Sequence, residues 1–360
     1  MTVKSRVAVI RTSPDSVIAD IDRALTLAQV QRHLIKNVPT ILKINITWHF
    51  WYPACSTTPW QLDGVAGALT RRGFRDLIPA QNRTVVINPK LGAENNHLNS
   101  VMKKHDLEFV YLYEPGVQWI QYKPKARMLV LDKVFGGTIA IPKMFIGKNA
   151  FHLPTLKTHV FTTITGAMKN AFGGLLNDNR HWTHAVIHET LVDLLQIQKE
   201  IHPGIFCLTD GTFAGDGAGP RVMQPHIKNY IIASGDSVAI DAVAAKMMGF
   251  DPMSIKFLVL AQEHGLGRAR PVDIEIVGED IRNVDFGFQV KDTFASRGQK
   301  AIYWGRLKRF EHFLLRTPLV PWSYAASRMY HDYFWYTVFG RAIARKFLNT
   351  PWGRLFASYK

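Results

Sequence analysis

Short apolar runs alternate with longer segments of helical periodicity along most of the 360-residue chain. Residues 7–11 read as a buried strand. Residues 16–37 then carry Val17, Ile18, Ile21, Ala24, Leu25 and Ala28 at the three-to-four spacing of one helix face. Residues 40–47 alternate like a strand, 61–72 read as a helix that Gly73 stops, and 84–88 as a strand. A helix over 95–105 and a strand over 107–113 continue the pattern. Further strands are expected at 128–132, 138–142, 206–210, 230–234 and 274–277, with clear helices at 184–200 and 237–248. The last helix starts after Asp236, a good cap residue, and ends at Gly249. Alternating strands and helices predict an α/β fold with a largely parallel sheet flanked by helices. After about residue 282 strands are hard to find. What remains reads as two or three amphipathic helices separated by Pro318, Pro321 and Pro351. The expected organisation is a core over 1–282, with two subdomains meeting near 145–150, and a helical C-terminal extension over 283–360.

Composition changes this picture in one place. The chain is 47% hydrophobic and 20% charged, as in ordinary globular proteins. Its formal charge of +16 is uneven, because residues 296–360 hold twelve Lys and Arg against Glu311 and Asp332. Sixteen aromatic residues fall within 301–360, interleaved with arginines. Basic, aromatic helices suit an anionic membrane surface, a second copy of the chain, or packing over the core. Nucleic acid is the weakest expectation, since no binding module is recognisable. Two cysteines, Cys55 and Cys207, cannot form a four-cysteine iron–sulfur or zinc site. The N-terminus shows no signal-peptide pattern and no run reaches membrane-spanning length. The expected location is the cytoplasm, with a peripheral position at the inner membrane face as the further expectation.

The chemistry concentrates in residues 152–174, which combine Lys157, His159, Lys169, Asn170, several threonines and glycines including Gly173, without one acidic residue. Lysines anchor an anion and a histidine moves a proton. His181, His184 and His188 would share a helix face, as bases or as ligands of a divalent metal. A glycine-rich stretch over 210–220 reads as a loop carrying Asp210 and Asp216; it is neither a P-loop nor a dinucleotide fingerprint. Asp241 would be costly on a buried helix face unless paired. Lys43 and Asn45 share one strand face. They precede an aromatic loop over 48–60 that would wall a pocket or pack as a flap, and that contains Cys55 and Thr58.

Several of these blocks occur in a recognisable order: Leu-Lys-Ile-Asn-Ile around Ile44, Ser-Thr-Thr-Pro at 56–59, Leu-Pro-Thr-Leu-Lys-Thr-His at 153–159 and Thr-Gly-Ala-Met-Lys-Asn-Ala-Phe-Gly at 165–173. Arg180 with its nearby histidines follows, then Asp-Gly at 210–211 and Ala-Ser-Gly-Asp-Ser-Val-Ala-Ile-Asp at 233–241. In this the chain resembles the DUF362 family over about residues 7–278. The resemblance implies an α/β fold and a site built from Lys43, Lys157, His159, Lys169 and Asn170, but no reaction. Many members carry ferredoxin-type cysteine motifs. This chain lacks them, so no 4Fe-4S cluster is expected. The expectation is an enzyme acting on an anionic small metabolite, a carboxylate or phosphate. Lys157, His159, Lys169, His184, His188 and Asp210 would do acid–base chemistry, and Lys43, Asn45, Thr58, Asn170, Gly173 and Asp241 would bind substrate. The alternative is a peripheral membrane or interaction protein using its C-terminal helices.

Overall fold

The computed structural model describes residues 4–84, 86–315, 317 and 321–360. Val85, Arg316 and Pro318, which enter the expectations above, lie outside that set, as do residues 1–3. Twelve strands run in chain order: β1 (Ser5–Arg11), β2 (Thr40–Ile44), β3 (Leu77–Gln81), β4 (Val110–Tyr111), β5 (Trp119–Tyr122), β6 (Ile139–Pro142), β7 (Asn149–Leu153), β8 (Thr155–His159), β9 (Thr163–Ile164), β10 (Ile205–Ala218), β11 (Val222–Ser234) and β12 (Ile274–Gly278). Ten of them form one mixed, mostly parallel sheet in the order β12-β1-β11-β10-β7-β2-β3-β4, with β8 and β9 branching from β10. The chain is thus α/β, as the alternation predicts.

β2, β7 and β8 are buried at every position, because helices cover both faces of the parallel part of the sheet. β7 and β8 follow one another along β10, separated by Pro154, whose carbonyl accepts the Asp210 N–H at 3.0 Å. A helix over Pro59–Arg71 starts at its Thr58 cap, and one over Ser237–Met248 starts at Asp236, whose carboxylate accepts the Val238 and Ala239 N–H groups. The second ends at Gly249 with φ +100°, a left-handed stop that glycine adopts without strain.

Local expectations change in several places. The helix expected over 95–105 is confined to Leu98–Lys104, because His97 takes a left-handed φ of +54°. Residues 210–220 are not a loop: the long strand β10 runs through to Ala218. Glycine there permits close approach, since a Cβ at Gly215 would lie 2.5 Å from Met223 Sδ on the paired β11. The later helix begins at Ile187, so His181 and His184 sit in a preceding 3₁₀ segment, Asp178–Val186, and only His188 is in the helix. In place of a strand at 84–88 there is an isolated bridge between Thr84 and Ile87. In place of one at 128–132 the backbone turns into a short helix, Leu131–Phe135, because the buried Asp193 carboxylate gathers the Leu129, Val130 and Leu131 N–H groups into a turn.

Past β12 the described chain has no strand and is mostly helical. Pro321 and Pro351 each open a helix, Pro321–Arg328 and Pro351–Ser358, at the position where proline's missing N–H costs nothing. The last helix is core. Trp352 is 2% exposed, packs against Trp60 at 5.1 Å, and donates its indole N–H to Asn229 Oδ1 at 2.7 Å. The Tyr359 hydroxyl donates to Asp63 at 2.9 Å. The aromatic loop over 48–60 is equally buried at Trp48, Tyr52 and Trp60.

Candidate functional site

Fully buried strands normally carry apolar side chains, so the polar residues of β2 and β8 need partners. Lys43, 2% exposed near the C-terminal end of β2, donates to the Gln81 side-chain oxygen at the end of β3 and to the Ile44 carbonyl at 2.5 Å. Lys157, 1% exposed in β8, donates to Thr47 Oγ1 at 3.0 Å and to the Cys55 carbonyl at 2.5 Å. Asn45 braces the same corner: its amide donates to the Cys55 carbonyl at 3.2 Å, and its oxygen accepts the Thr47 hydroxyl at 2.8 Å. Both lysines are therefore held by neutral oxygens rather than by carboxylates. Burial lowers them, Lys43 well below its ordinary value of 10.5 and Lys157 to about 8.

A short helix, Gly166–Asn170, brings in the second pair. Asp241, fully buried on the Ser237–Met248 helix, accepts the Ala167 and Met168 N–H groups at 2.6 and 3.0 Å. Gly166 has φ +66°, and a Cβ there would lie 2.4 Å from the Asp241 carboxyl, so this junction requires glycine. Burial raises Asp241 to about 7 against those two hydrogen bonds. The helix so anchored turns the Asn170 amide onto the Lys43 carbonyl, at 2.9 Å, and holds Lys169 4.6 Å above the Phe172 ring. Among the described residues the Lys169 ammonium has no hydrogen-bond or ion-pair partner. Burial lowers it to about 7, and the charges of Arg180 and Lys157 push the same way.

His159 ends β8. Its Nδ1 accepts the Phe161 N–H at 3.1 Å, so in the neutral ring Nε2 carries the proton. Burial holds it well below its ordinary value, and Lys169, His184, Lys157 and His188 reinforce the shift. His184 donates Nδ1–H to the His181 carbonyl at 3.1 Å and stacks on Tyr303 at 5.6 Å; burial lowers it to about 3. Among the described residues His188 Nδ1 is buried without a hydrogen-bond partner, and its ring stacks on Phe257. Arg180, 6% exposed, donates to the Leu176 and Arg83 carbonyls, and its charge acts on Lys43, Lys169 and His184. The sequence offered Arg180 only as part of a segment order. Gln81 gave no signal, since its role depends on β3 lying beside β2.

The structure thus brings together Lys43, Lys157, Lys169, Arg180, His159, His184 and His188, with Asn45, Asn170 and Asp241 as their supports. A Cβ at Gly174 would meet the Lys43 chain at 2.7 Å, so this glycine makes room for the lysine, whereas one at Gly173 would lie 3.7 Å from Lys43 Nζ, an ordinary contact. Asp210 is engaged elsewhere. Its carboxylate accepts the Thr58 hydroxyl at 2.5 Å, the Trp60 indole at 3.1 Å and the Thr212 N–H at 2.7 Å. Thr58 caps its helix in the same bond network. Cys55 is fully buried with its thiol raised to about 12, which leaves it unreactive. Among the described residues no group of three or more His, Cys, Asp and Glu side chains converges as a metal site would require.

The arrangement is a set of buried basic side chains held by neutral acceptors. The profile of the DUF362 family, described as a domain of unknown function, matches residues 40–246, more than half of the chain; the chain belongs to this family. That span holds every residue of the cluster. The chain is also similar to the thylakoid-associated protein sll1697 of Synechocystis sp. (strain ATCC 27184 / PCC 6803 / Kazusa), with 30% identity over 119 residues. The match spans 32% of this chain and 37% of that protein. No solved structure matches the chain.

Proposed function

We propose that the Lys43–Lys157–Lys169–Arg180 cluster binds a small anionic metabolite, a carboxylate or a phosphate ester, and that the protein is an enzyme acting on it. One observation carries the reading: among the described residues the Lys169 side chain has no hydrogen-bond or ion-pair partner, only the Phe172 ring, and the charges acting on it are those of Arg180 and Lys157. A guest anion would satisfy it and relieve the mutual repulsion. The roles follow from protonation. With a value of about 7, Lys169 gains its proton readily near neutral pH and is charged when the anion is bound, while the fixed tautomer of His159 offers Nε2–H as a donor to a developing oxyanion. Lys157 and Arg180 would hold the anion, and Asp241 would keep Lys169 in place. The test is native mass spectrometry and metabolite profiling of the purified protein beside Lys157→Met and Lys169→Met. A co-purifying anion lost from both variants supports the site; an unchanged profile removes it.

A second reading has its own observation. The helix over residues 321–348 passes without a break through a π-wound stretch, Met329–Gly340, since Arg328 and Gly340 both keep helical angles. Its outward side carries Met329, Tyr333, Phe334, Val338 and Phe339, 48–75% exposed. No helix among the described residues is long and apolar enough to cross a membrane. A face of this kind beside Arg328, Arg341, Arg345 and Lys346 suits a peripheral position on an anionic bilayer, at the cytoplasmic face of the inner membrane. That the Synechocystis relative is a thylakoid-associated protein agrees with this reading. A homodimer covering the same face is the competing occupant, and sedimentation of the free protein distinguishes them.

A further inference from the structure

A cleft of about 570 Å³ lies between the C-terminal helices and the aromatic loop, outside the lysine cluster. Its cations are Arg341, Arg345, Arg354 and Lys360, and no Asp or Glu side chain lines it. Arg341, Arg345 and Arg354 are exposed, and among the described residues none of their guanidinium groups is hydrogen-bonded or ion-paired. The walls are rigid aromatics. Phe50 stacks on Tyr336 at 4.1 Å and 10°, Phe356 stacks on His97 at 4.2 Å and 13°, and Trp51 lies 4.7 Å from Phe356. The floor is fixed from below, because Asp332 accepts the Trp48 indole N–H at 2.7 Å and Tyr336 donates its hydroxyl to the Trp51 carbonyl at 3.2 Å.

We infer that this cleft is a headgroup site for an anionic phospholipid, an inference that rests on the membrane-surface reading above. Charge complementarity selects the occupant: three guanidiniums, unpaired among the described residues, line one cleft with no Asp or Glu side chain in its wall, and a guanidinium matches a phosphodiester bidentately. Position selects a lipid over a free anion. Arg341 and Arg345 stand on the same unbroken helix as the exposed Phe334, Val338 and Phe339, and Leu348, 38% exposed, edges the cleft itself. A headgroup in the cleft would therefore leave its acyl chains beside an apolar helix face, and the rings would seat at the glycerol level.

The test uses the full chain in vesicle flotation, with phosphatidylcholine alone and with phosphatidylglycerol added at a fixed fraction. Arg345→Gln/Arg354→Gln changes two exposed side chains and is checked for folding by circular dichroism; Val338→Ser/Phe339→Ser tests the apolar face. The wild type is expected to float only with phosphatidylglycerol. The arginine pair should lose that binding about tenfold or more, at roughly one kcal/mol per cation, and the apolar pair should weaken it as well. Binding to phosphatidylglycerol that survives the arginine changes overturns the cleft and leaves the membrane reading standing. A wild type that floats with neither vesicle overturns both. Inorganic phosphate that protects the wild type thermally through Arg345 and Arg354, with no flotation, overturns the lipid as the occupant.

Discussion

At the scale of the residue, the lysine cluster makes the protein's stability depend on pH in a defined direction. Lys169 and Lys157 stand at about 7 and about 8 in the fold against 10.5 ordinarily. Between those values the unfolded chain holds more protons than the folded one, so stability rises with pH from about 7 toward 10.5 and is lowest once both lysines are charged in the fold. Denaturation midpoints measured from pH 6 to 10 should show that rise, and Lys169→Met should flatten it. Inorganic phosphate or a carboxylate bound in the cluster restores the charge of Lys169, so its affinity should fall as pH rises through 7; titration calorimetry at pH 6 and 8.5 checks the sign. Asp241 runs the other way. Raised to about 7, it stabilises the fold at low pH, and that contribution is lost as pH rises from about 4 to 7. Asp241→Ala leaves two buried N–H groups without an acceptor, and about 1–3 kcal/mol for each is the expected loss. If the helix it anchors is what holds Lys169, this variant should also lose anion binding, which equilibrium dialysis reads directly.

At the scale of the element, local signals were legible where the end of a helix is written in a few residues. Asp236 and Gly249 bound their helix as the sequence indicates, and Gly249→Ala should cost about 1 kcal/mol or more. It forces φ +100° on a side chain and sets a Cβ 2.6 Å from Asp285 Oδ1. Thermal unfolding of that single variant is sufficient. The glycines over 210–220 were misleading for a physical reason. In isolation they read as turn residues, but β10 uses them to lie close against β8 and β11, a fact about its neighbours rather than about the segment. The histidine triplet was misplaced for a similar reason, because the 3₁₀ segment that carries His181 and His184 is held by contacts to distant parts of the chain, His181 Nε2 to the Leu315 carbonyl among them.

At the scale of the whole molecule, the C-terminal segment serves two ends. Ala344, Phe347, Trp352 and Phe356 join the core packed around Trp60 and Phe213, while the preceding helix shows an apolar face to the outside. Removing residues 341–360 should therefore abolish cooperative unfolding rather than yield a trimmed, folded protein; Trp352→Ala alone should cost about 3–5 kcal/mol in urea denaturation. Membrane tests consequently need point changes on the exposed face, since a truncation would confound binding with folding.

The sequence by itself determined the layer class, the identity of the family, and the block of lysines, histidine and asparagine over 152–174, because strand periodicity, caps and residue types are written locally. It also told that the last 65 residues are basic and aromatic. It could not tell which of the polar residues share a site. Lys43 and Lys157 are 114 positions apart and Asp241 is 72 beyond Lys169; parallel strand pairing and one buried carboxylate bring them together. The same holds for Asp210, whose chemistry suits a site but whose donors, Thr58, Trp60 and Thr212, are supplied by the fold. Side-chain identity fixes what a group can do, and only packing fixes what it faces, because burial and the charges beside it set its protonation and its partners.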